Sequence, residues 1–339
     1  MQTDLLRTST TSEREKAVAS AFALLRKGEI VALPTETVYG LAADALNPIA
    51  VAKIFEAKAR PRFDPLIVHL PDPGWLEKVV DPPALAAASP SSGGQDRQLI
   101  LKLTEKFWPG PFTMVLLKRD IVPEIVTAGL ETVAVRLSAH PIFSEIVRAF
   151  GKPLAAPSAN RFGRISPTTA KHVLDELDGH IPLIIDAGPT THGIESTIVA
   201  VREGKIDILR RGPITSEQLS AFGEVGIATE REKISGPGQL PSHYAPKTAL
   251  RVVDDLKSFI PQDNQRCALL AWKPITNYDR FVAIRNLSEH QDLREAAANL
   301  FRYLRELDAL DVDLIVAERV PGQGLGAAIL DRLQRASHV

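Results

Sequence analysis

The 339-residue sequence predicts two α/β units: a mixed sheet with helices over residues 1–222 and a smaller doubly wound α/β domain over 248–339, joined by a linker at 223–247. Three observations carry this. At roughly 100 to 200 residues per domain, the length makes room for two cores. Short apolar runs alternate with helical patterns through both halves, as layered α/β folds require. Between the halves, the stretch containing SGPGQLPSHYAPK breaks that pattern with prolines and glycines.

Ser12, with Glu15 three residues later, reads as a capping box opening a helix through Ala17, Phe22 and Leu25 until Gly28 stops it. Residues 29–33 form the first strand, and Asn47-Pro48 opens a second helix through IAVAKIFEAK. Apolar runs at 65–70, 112–117, 132–137, 153–156 and 183–186 read as strands, with helices at 98–107, 142–150 and 168–178. Segment 81–96, DPPALAAASPSSGGQD, is rich in small residues and proline and reads as a mobile surface loop. STIVAV and KIDILRR flank a turn and read as a hairpin. After the linker, ALRVV, CALLAW, FVAIRNL and DVDLIVA alternate with helices at 290–308 and 324–336, which predicts a mainly parallel sheet. GQGLGA at 322–327 matches part of a dinucleotide fingerprint, but only 12 residues follow, so no ribose-binding acid fits behind it. Its glycines read as a close helix-packing turn.

A composition of 45% apolar and 24% charged residues excludes global disorder and collagen-like repeats. Forty Lys plus Arg against 41 Asp plus Glu give a net charge of -1, so no global positive field gathers nucleic acid or anionic membrane, and any basic site is local. Cys267 is the sole cysteine, which excludes an intrachain disulfide and any zinc site built on two thiolates. The first residues include Asp4, Glu13 and Glu15 and no apolar h-region, and no run approaches a spanning helix. The expectation is a cytoplasmic protein without a membrane segment.

Several segments concentrate polar chemistry at strand ends, where open α/β sheets bind ligands. LPTETVYGLAADA places Thr35, Glu36 and Thr37 between a strand end and Gly40, either as ligand groups or as a hydrogen-bonded turn. In KARPRFDPLIVHL, Pro61 biases Arg60 towards an extended conformation, so Lys58 and Arg60 can project to one side and hold a polyphosphate, with Arg62 as a third charge. The bland reading is a solvated helix end, with His69 a satisfied strand-end residue. FWPGPFT makes a rigid bend that delivers Thr113, while Trp108 fills core. Arg136 sits in the apolar strand VAVRL and needs either a structural or a ligand carboxylate. APSANRFGRISPT supplies Ser158, Asn160, Arg161, Arg164 and Ser166 around Gly163, an anion-wrapping set or an ordinary polar loop; the GxxxxGK(S/T) phosphate loop is absent from the chain. GIESTIV and ILRRGP put Ser196 and Arg210 at the hairpin's ends, with Glu195 a structural acceptor.

In this order, PTETVYGL, the Lys58-x-Arg60 pair, the Ser158-x-Asn160 pair, ESTIV, LRRG, HYAP at 243–246 and GLGAAILDRLQRA resemble the YrdC-type family of threonylcarbamoyl-AMP synthases in its two-domain form. The resemblance spans nearly the whole chain. It implies a YrdC-like mixed twisted sheet with helices, followed by a Rossmann-like doubly wound α/β domain. It also implies a nucleotidyltransferase that condenses L-threonine, bicarbonate or CO2, and ATP with its Mg2+ into threonylcarbamoyl-AMP and pyrophosphate. A downstream tRNA threonylcarbamoyl transferase would consume the product, and a weak direct contact with tRNA stays open. Carried across, the threonine pocket falls on Thr37, His69, Arg136, the backbone of Ala156, and Ser196. The ATP contacts fall on Arg60, Asp64, Thr113, Ser158, Asn160, Ser166, Arg210 and Tyr244, with Lys58 and Arg60 as the catalytic cations. The resemblance assigns no metal ligand to the protein. Arg136 would then find its carboxylate on threonine, and the linker around Tyr244 would fold over the nucleotide as a lid. Two departures stand out: Asp64 replaces the family's usual Asn, and GQLPSHYAP lacks the usual Tyr-Arg before HYAP.

The competing readings are an RNA-binding module and a sensor of threonine or ATP without turnover. PRF and NRFGR supply local arginine and aromatic residues, yet the balanced charge and the lack of an RNP-type run weigh against RNA. A hydrogenase-maturation carbamoyltransferase shares the YrdC-like domain, but a single cysteine cannot build its zinc-finger portion.

Overall fold

The computed structural model describes residues 2–81, 95–227, 244–275 and 279–337. In the first half the strands are β1 (Asp4–Arg7), β2 (Val31–Leu33), β3 (Gly40–Asp44), β4 (Ile67–His69), β5 (Phe112–Leu117), β6 (Thr132–Arg136), β7 (Leu154–Ala155), β8 (Leu183–Asp186), β9 (Thr197–Arg202), β10 (Lys205–Arg210) and β11 (Val225–Ile227). They form one sheet in the order β1-β8-β2-β3-β7-β4-β6-β5-β9-β10-β11. It is mixed: β4 and β6 run parallel, as do β5 and β9, while β2–β3, β3–β7, β5–β6 and β9–β10 are antiparallel. Its central strands are buried on both faces, which is why they read as continuous apolar runs rather than alternating ones.

The second half forms a four-stranded parallel sheet of β12 (Ala249–Val253), β13 (Cys267–Ala271), β14 (Ala283–Asn286) and β15 (Leu314–Glu318), ordered β12-β15-β13-β14. The helix Leu293–Asp308 buries Ala296, Ala297, Leu300, Phe301, Leu304 and Leu307, an apolar stripe at helical spacing. Val38, Ile165 and Ile194 of the first half join the same hydrophobic cluster, so the two halves share a core. Gly193 marks how tight that seam is. An added Cβ there would stand 2.4 Å from the carbonyl oxygen of Ala297. Among the described residues, no helix is long and apolar enough to cross a membrane.

One local expectation is corrected, and three strands appear that the sequence reading did not anticipate. The capping box is Thr10 with Glu13, not Ser12 with Glu15: Thr10 Oγ1 accepts from the Glu13 amide at 3.2 Å and Glu13 Oε2 from the Thr10 amide at 3.0 Å. Both pairs satisfy the motif, and the extended Thr10 backbone between β1 and the helix Thr11–Arg26 selects the earlier one. β1 was hidden because it is short and largely exposed; its parallel pairing with β8 makes it a strand. β3 is rich in small residues with little intrinsic strand preference, and pairing on both edges fixes it. β11 pairs with β10, carrying the first sheet past residue 222 into the segment read as linker. Of the segments read from sequence as a linker and as a surface loop, residues 228–243 and 82–94 lie outside the described residues. The GQGLGA turn packs closely, since a Cβ on Gly326 would fall 1.8 Å from the Pro321 carbonyl oxygen.

Candidate active site

A cleft with about 560 Å3 of empty space, its open mouth included, lies where the ends of β2, β4, β6, β9 and β10 converge. Thr35, Glu36 and Thr37 leave β2 in a turn knotted by its own hydroxyls. Thr35 Oγ1 accepts from the amides of Thr37 and Val38 and lies 2.8 Å from Thr37 Oγ1. Thr37 faces the cleft and accepts from Arg136 Nη1 at 3.0 Å.

Arg136 ends β6 beside His69, its register partner at the end of β4. The arginine already has a carboxylate: its Nη2 lies 2.8 Å from Glu36 Oε1, both side chains buried. This corrects the expectation that ligand binding supplies its missing partner. The Gly110 carbonyl on Nε at 3.1 Å, Thr37 on Nη1 and Glu36 on Nη2 engage three of the five guanidinium N–H groups, which leaves two. Burial alone would raise the Glu36 carboxyl, but the Arg136 charge and the hydrogen bonds from Ser138 and Arg136 bring it down to about 2. His69 packs on Phe143 at 4.7 Å between ring centroids, with no hydrogen bond to its buried Nδ1. Burial, then the Arg136 charge, lower it to about 3, so it stays neutral near pH 7.

The second wall follows the helix Pro48–Lys58. Ala59 turns left-handed (φ 50°, ψ 41°), and Lys58 and Arg60 part company. Lys58 Nζ, fully buried, donates to the carbonyl of Ser158 at 2.5 Å and to that of Asn160. Burial, then the Arg60 charge, hold its pKa well below that of an ordinary lysine. It therefore does not share the cleft with Arg60, contrary to the expected two-cation clamp, and Arg62 is exposed. Arg60 does line the cleft, held by Asp64 Oδ2 at 2.8 Å and the Asp64 and Pro65 carbonyls. Asp64 is thus counter-ion to Arg60, behind the cleft surface, rather than a residue of its lining.

Ala156 and Ser158 form the third wall, with Gly40 tight against it: a Cβ on Gly40 would meet Ala156 Cβ at 3.3 Å. Asn160 is buried behind them, its Nδ2 donating to the Arg161 and Arg164 carbonyls and its Oδ1 without a hydrogen bond. Opposite, Ser196 Oγ lies 2.8 Å from Thr113 Oγ1 and accepts from Arg210 Nη2 at 3.0 Å, while Arg210 Nε donates to the Ser196 carbonyl. Tyr244 completes the lining, buried, with φ 66° and its ring stacked 5.5 Å from Phe301 of the second domain.

All five residues expected for threonine (Thr37, His69, Arg136, Ala156, Ser196) line this one cleft, as do Arg60, Ser158, Arg210 and Tyr244. Lys58, Asp64, Thr113, Asn160 and Ser166 stand one layer behind and orient the lining. Ser166 does so by donating to Glu195. Glu195 also lines the cleft, and its counter-ion Arg332, quoted within GLGAAILDRLQRA, was given no role by sequence reading. The available signal was its position on the buried stripe Ala328, Ile329, Leu333, Ala336 of the helix Leu325–Ser337. Burial would raise the Glu195 carboxyl, but the charges of Arg332 and Arg210 keep it below the usual range. Among the described residues, no three His, Cys, Asp or Glu side chains are grouped to hold a metal ion.

A family model described as "Telomere recombination" matches residues 23–212, and one described as "Threonylcarbamoyl-AMP synthase, C-terminal domain" matches residues 214–338. The threonylcarbamoyl-AMP synthase of Bacillus subtilis is 39% identical, covering 96% of this chain and 94% of its own. That of Pyrococcus abyssi is 38% identical, with 95% and 94% covered. The crystal structure of P. abyssi Sua5 complexed with L-threonine superposes with a TM-score of 0.84 at 35% identity, covering 99% of this chain and 98% of that one. With both halves of the chain matched and a structural relative aligned from end to end, the chain belongs to the threonylcarbamoyl-AMP synthase family.

Proposed function

We propose that this cleft condenses L-threonine, bicarbonate or CO2, and MgATP into threonylcarbamoyl-AMP and pyrophosphate, the work of a nucleotidyltransferase. One observation carries the reading: a guanidinium suited to a carboxylate, Arg136, and two suited to phosphates, Arg60 and Arg210, line the same cleft. A structural relative complexed with L-threonine supports that amino acid as the substrate; in this reading it sits on the Thr37, His69, Arg136 and Ser196 side, where the Arg136 guanidinium meets its carboxylate. The nucleotide then lies along Arg60, Ser158, Arg210 and Tyr244.

In this reading the threonine amine gives up a proton and its nitrogen attacks the carbon of CO2. A carbamate oxygen then attacks the α-phosphorus, and the bond to the β-phosphate breaks with its electron pair leaving on pyrophosphate. No protein nucleophile takes part. Arg60 and Arg210 stabilise the phosphates by charge and fixed orientation, and the buried lining keeps water from the carbamate and the mixed anhydride. Lys58 is a positioning residue that fixes the Ser158 and Asn160 carbonyls. Among the described residues, the carboxylates Glu36, Asp64 and Glu195 near the cleft are each engaged by an arginine, and in this reading Mg2+ enters with the nucleotide substrate. The product serves a transferase that builds N6-threonylcarbamoyladenosine in tRNA, and the cytoplasm is where both meet.

Incubation with MgATP, L-threonine and labelled bicarbonate, followed by mass spectrometry, tests the reading. A labelled adenylate that requires both threonine and bicarbonate is expected. ATP or threonine binding without that product would leave a sensor, and salt-sensitive tRNA binding without turnover would leave an RNA-binding module.

A further inference from the structure

Arg332 lies on the C-terminal helix Leu325–Ser337, yet its side chain, with no exposed surface, ends on Glu195, a lining residue of the cleft in the other domain. Its Nε donates to Glu195 Oε2 at 2.8 Å, and its Nη2 donates to the Arg211 carbonyl at 2.9 Å. Those two contacts tie together the segments that deliver Ser196 and Arg210. The tie is close, because a Cβ on Gly212 would lie 2.6 Å from the Glu195 carbonyl oxygen. The guanidinium also lies over the Tyr244 ring at 5.0 Å.

The charges around it balance in a particular way. Asp331 takes Arg332 Nη1 at 2.6 Å on one oxygen and Arg335 Nε at 3.0 Å on the other. Two acids, Glu195 and Asp331, thus meet two arginines, 332 and 335, and of this cluster it is Arg210 that presents a positive charge to the cleft, alongside Arg60. Without Arg332, Glu195 would keep its Ser166 hydrogen bond but set a carboxylate with no paired cation in the lining beside Arg210, offsetting the charge that draws phosphate and repelling the phosphate itself.

We infer that Arg332 is a positioning residue of the nucleotide site: the C-terminal domain reaches into the first to neutralise Glu195, and so makes the cleft receptive to a polyphosphate. This rests on the reading of the cleft as an ATP site.

The test is calorimetric binding of ATP and of adenosine, without threonine, to the full-length protein and to R332M and R332M/E195Q. R332M is expected to bind ATP about tenfold more weakly while adenosine, which carries no phosphate, binds as to the parent. Removing both charges in R332M/E195Q should bring ATP back to within about threefold, since neutralising a buried pair as a unit is far milder than orphaning one member. Should R332M fail to fold, the double variant alone decides by the same threefold margin. An equal loss for ATP and adenosine, no loss at all, no recovery in the double variant, or a failure of both variants to fold would overturn the inference and leave Arg332 a structural role only. A parent protein that binds no ATP would instead overturn the reading of the cleft.

Discussion

Arg60 and Asp64 form a buried ion pair, Nη2 to Oδ2 at 2.8 Å, in which the arginine faces the cleft and the aspartate stands behind it. Asp64 therefore orients the guanidinium through its carboxylate and its carbonyl, while offsetting part of the charge that would attract phosphate. Replacing it with the neutral amide of asparagine leaves Arg60 buried with less compensation. D64N is expected to melt several degrees lower in the absence of ligand, because an orphaned buried charge costs about 3 kcal/mol or more. Bound ATP supplies the missing anion, so the rise in melting temperature on adding ATP should be larger in D64N than in the parent. Thermal melts with and without ATP check this, and an equal or smaller rise in D64N would show that Arg60 does not meet the phosphates.

The Glu36–Arg136 pair should make the protein sensitive to acid. Glu36 has a folded pKa of about 2, below the ordinary carboxylate range. The unfolded chain therefore binds the proton first as pH falls. The stabilisation is complete above about pH 4.5 and is lost as pH drops towards 2, on the order of 3 kcal/mol in all. E36Q should be less stable at pH 7, since Arg136 loses its counter-ion, but its stability should fall less between pH 4.5 and 2. Urea unfolding across that range measures both slopes, and parallel curves would mean that Glu36 is not the titrating group.

Strand-end motifs were legible because each sits beside an apolar run that fixes its place: Thr37 after β2, His69 ending β4, Arg136 ending β6 and Arg210 ending β10 all reach the cleft. What escaped was pairing across long separations. Nothing in VAVRL indicates that Arg136 meets Glu36, 100 residues earlier, or that Arg332 meets Glu195 across the domain seam. The left-handed turn at Ala59, which separates Lys58 from Arg60, was equally hidden. Alanine seldom adopts that conformation, and surrounding structure imposes it. In the fold, β1 and β11 escaped because edge strands of three or four residues, too short for a readable alternation, owe their existence to a neighbour.

Ser196 shares its hydroxyl between Thr113 and Arg210. S196A deletes that junction without adding bulk and frees Arg210 Nη2 from one of its contacts. A fall of about 10- to 100-fold in kcat/KM for adenylate formation is expected, the cost of about two hydrogen bonds to a charged or buried group. R60A should fall further, mainly through a raised KM for ATP, because it removes a phosphate-facing charge. Steady-state kinetics separate the two, and parent-like constants in both variants would mean that these side chains touch neither substrate.

Lys58 offers the sharpest contrast between holding a phosphate and holding a loop. Its ammonium is buried on the carbonyls of Ser158 and Asn160, two hydrogen bonds that tie the helix Pro48–Lys58 to the third wall of the cleft. K58M keeps the apolar stem and leaves both carbonyls without this donor, which should lower stability by about 1–3 kcal/mol and slow turnover through a loosened Ser158. K58R should be no better, because a planar guanidinium is bulkier than the ammonium the two carbonyls enclose. A phosphate-binding lysine behaves differently: K58R would retain much of the ATP affinity, and K58M would lose affinity with little change in melting temperature. Melting temperature and ATP affinity measured together on both variants therefore distinguish the roles, and a K58M protein as stable as the parent but blind to ATP would return Lys58 to the phosphates.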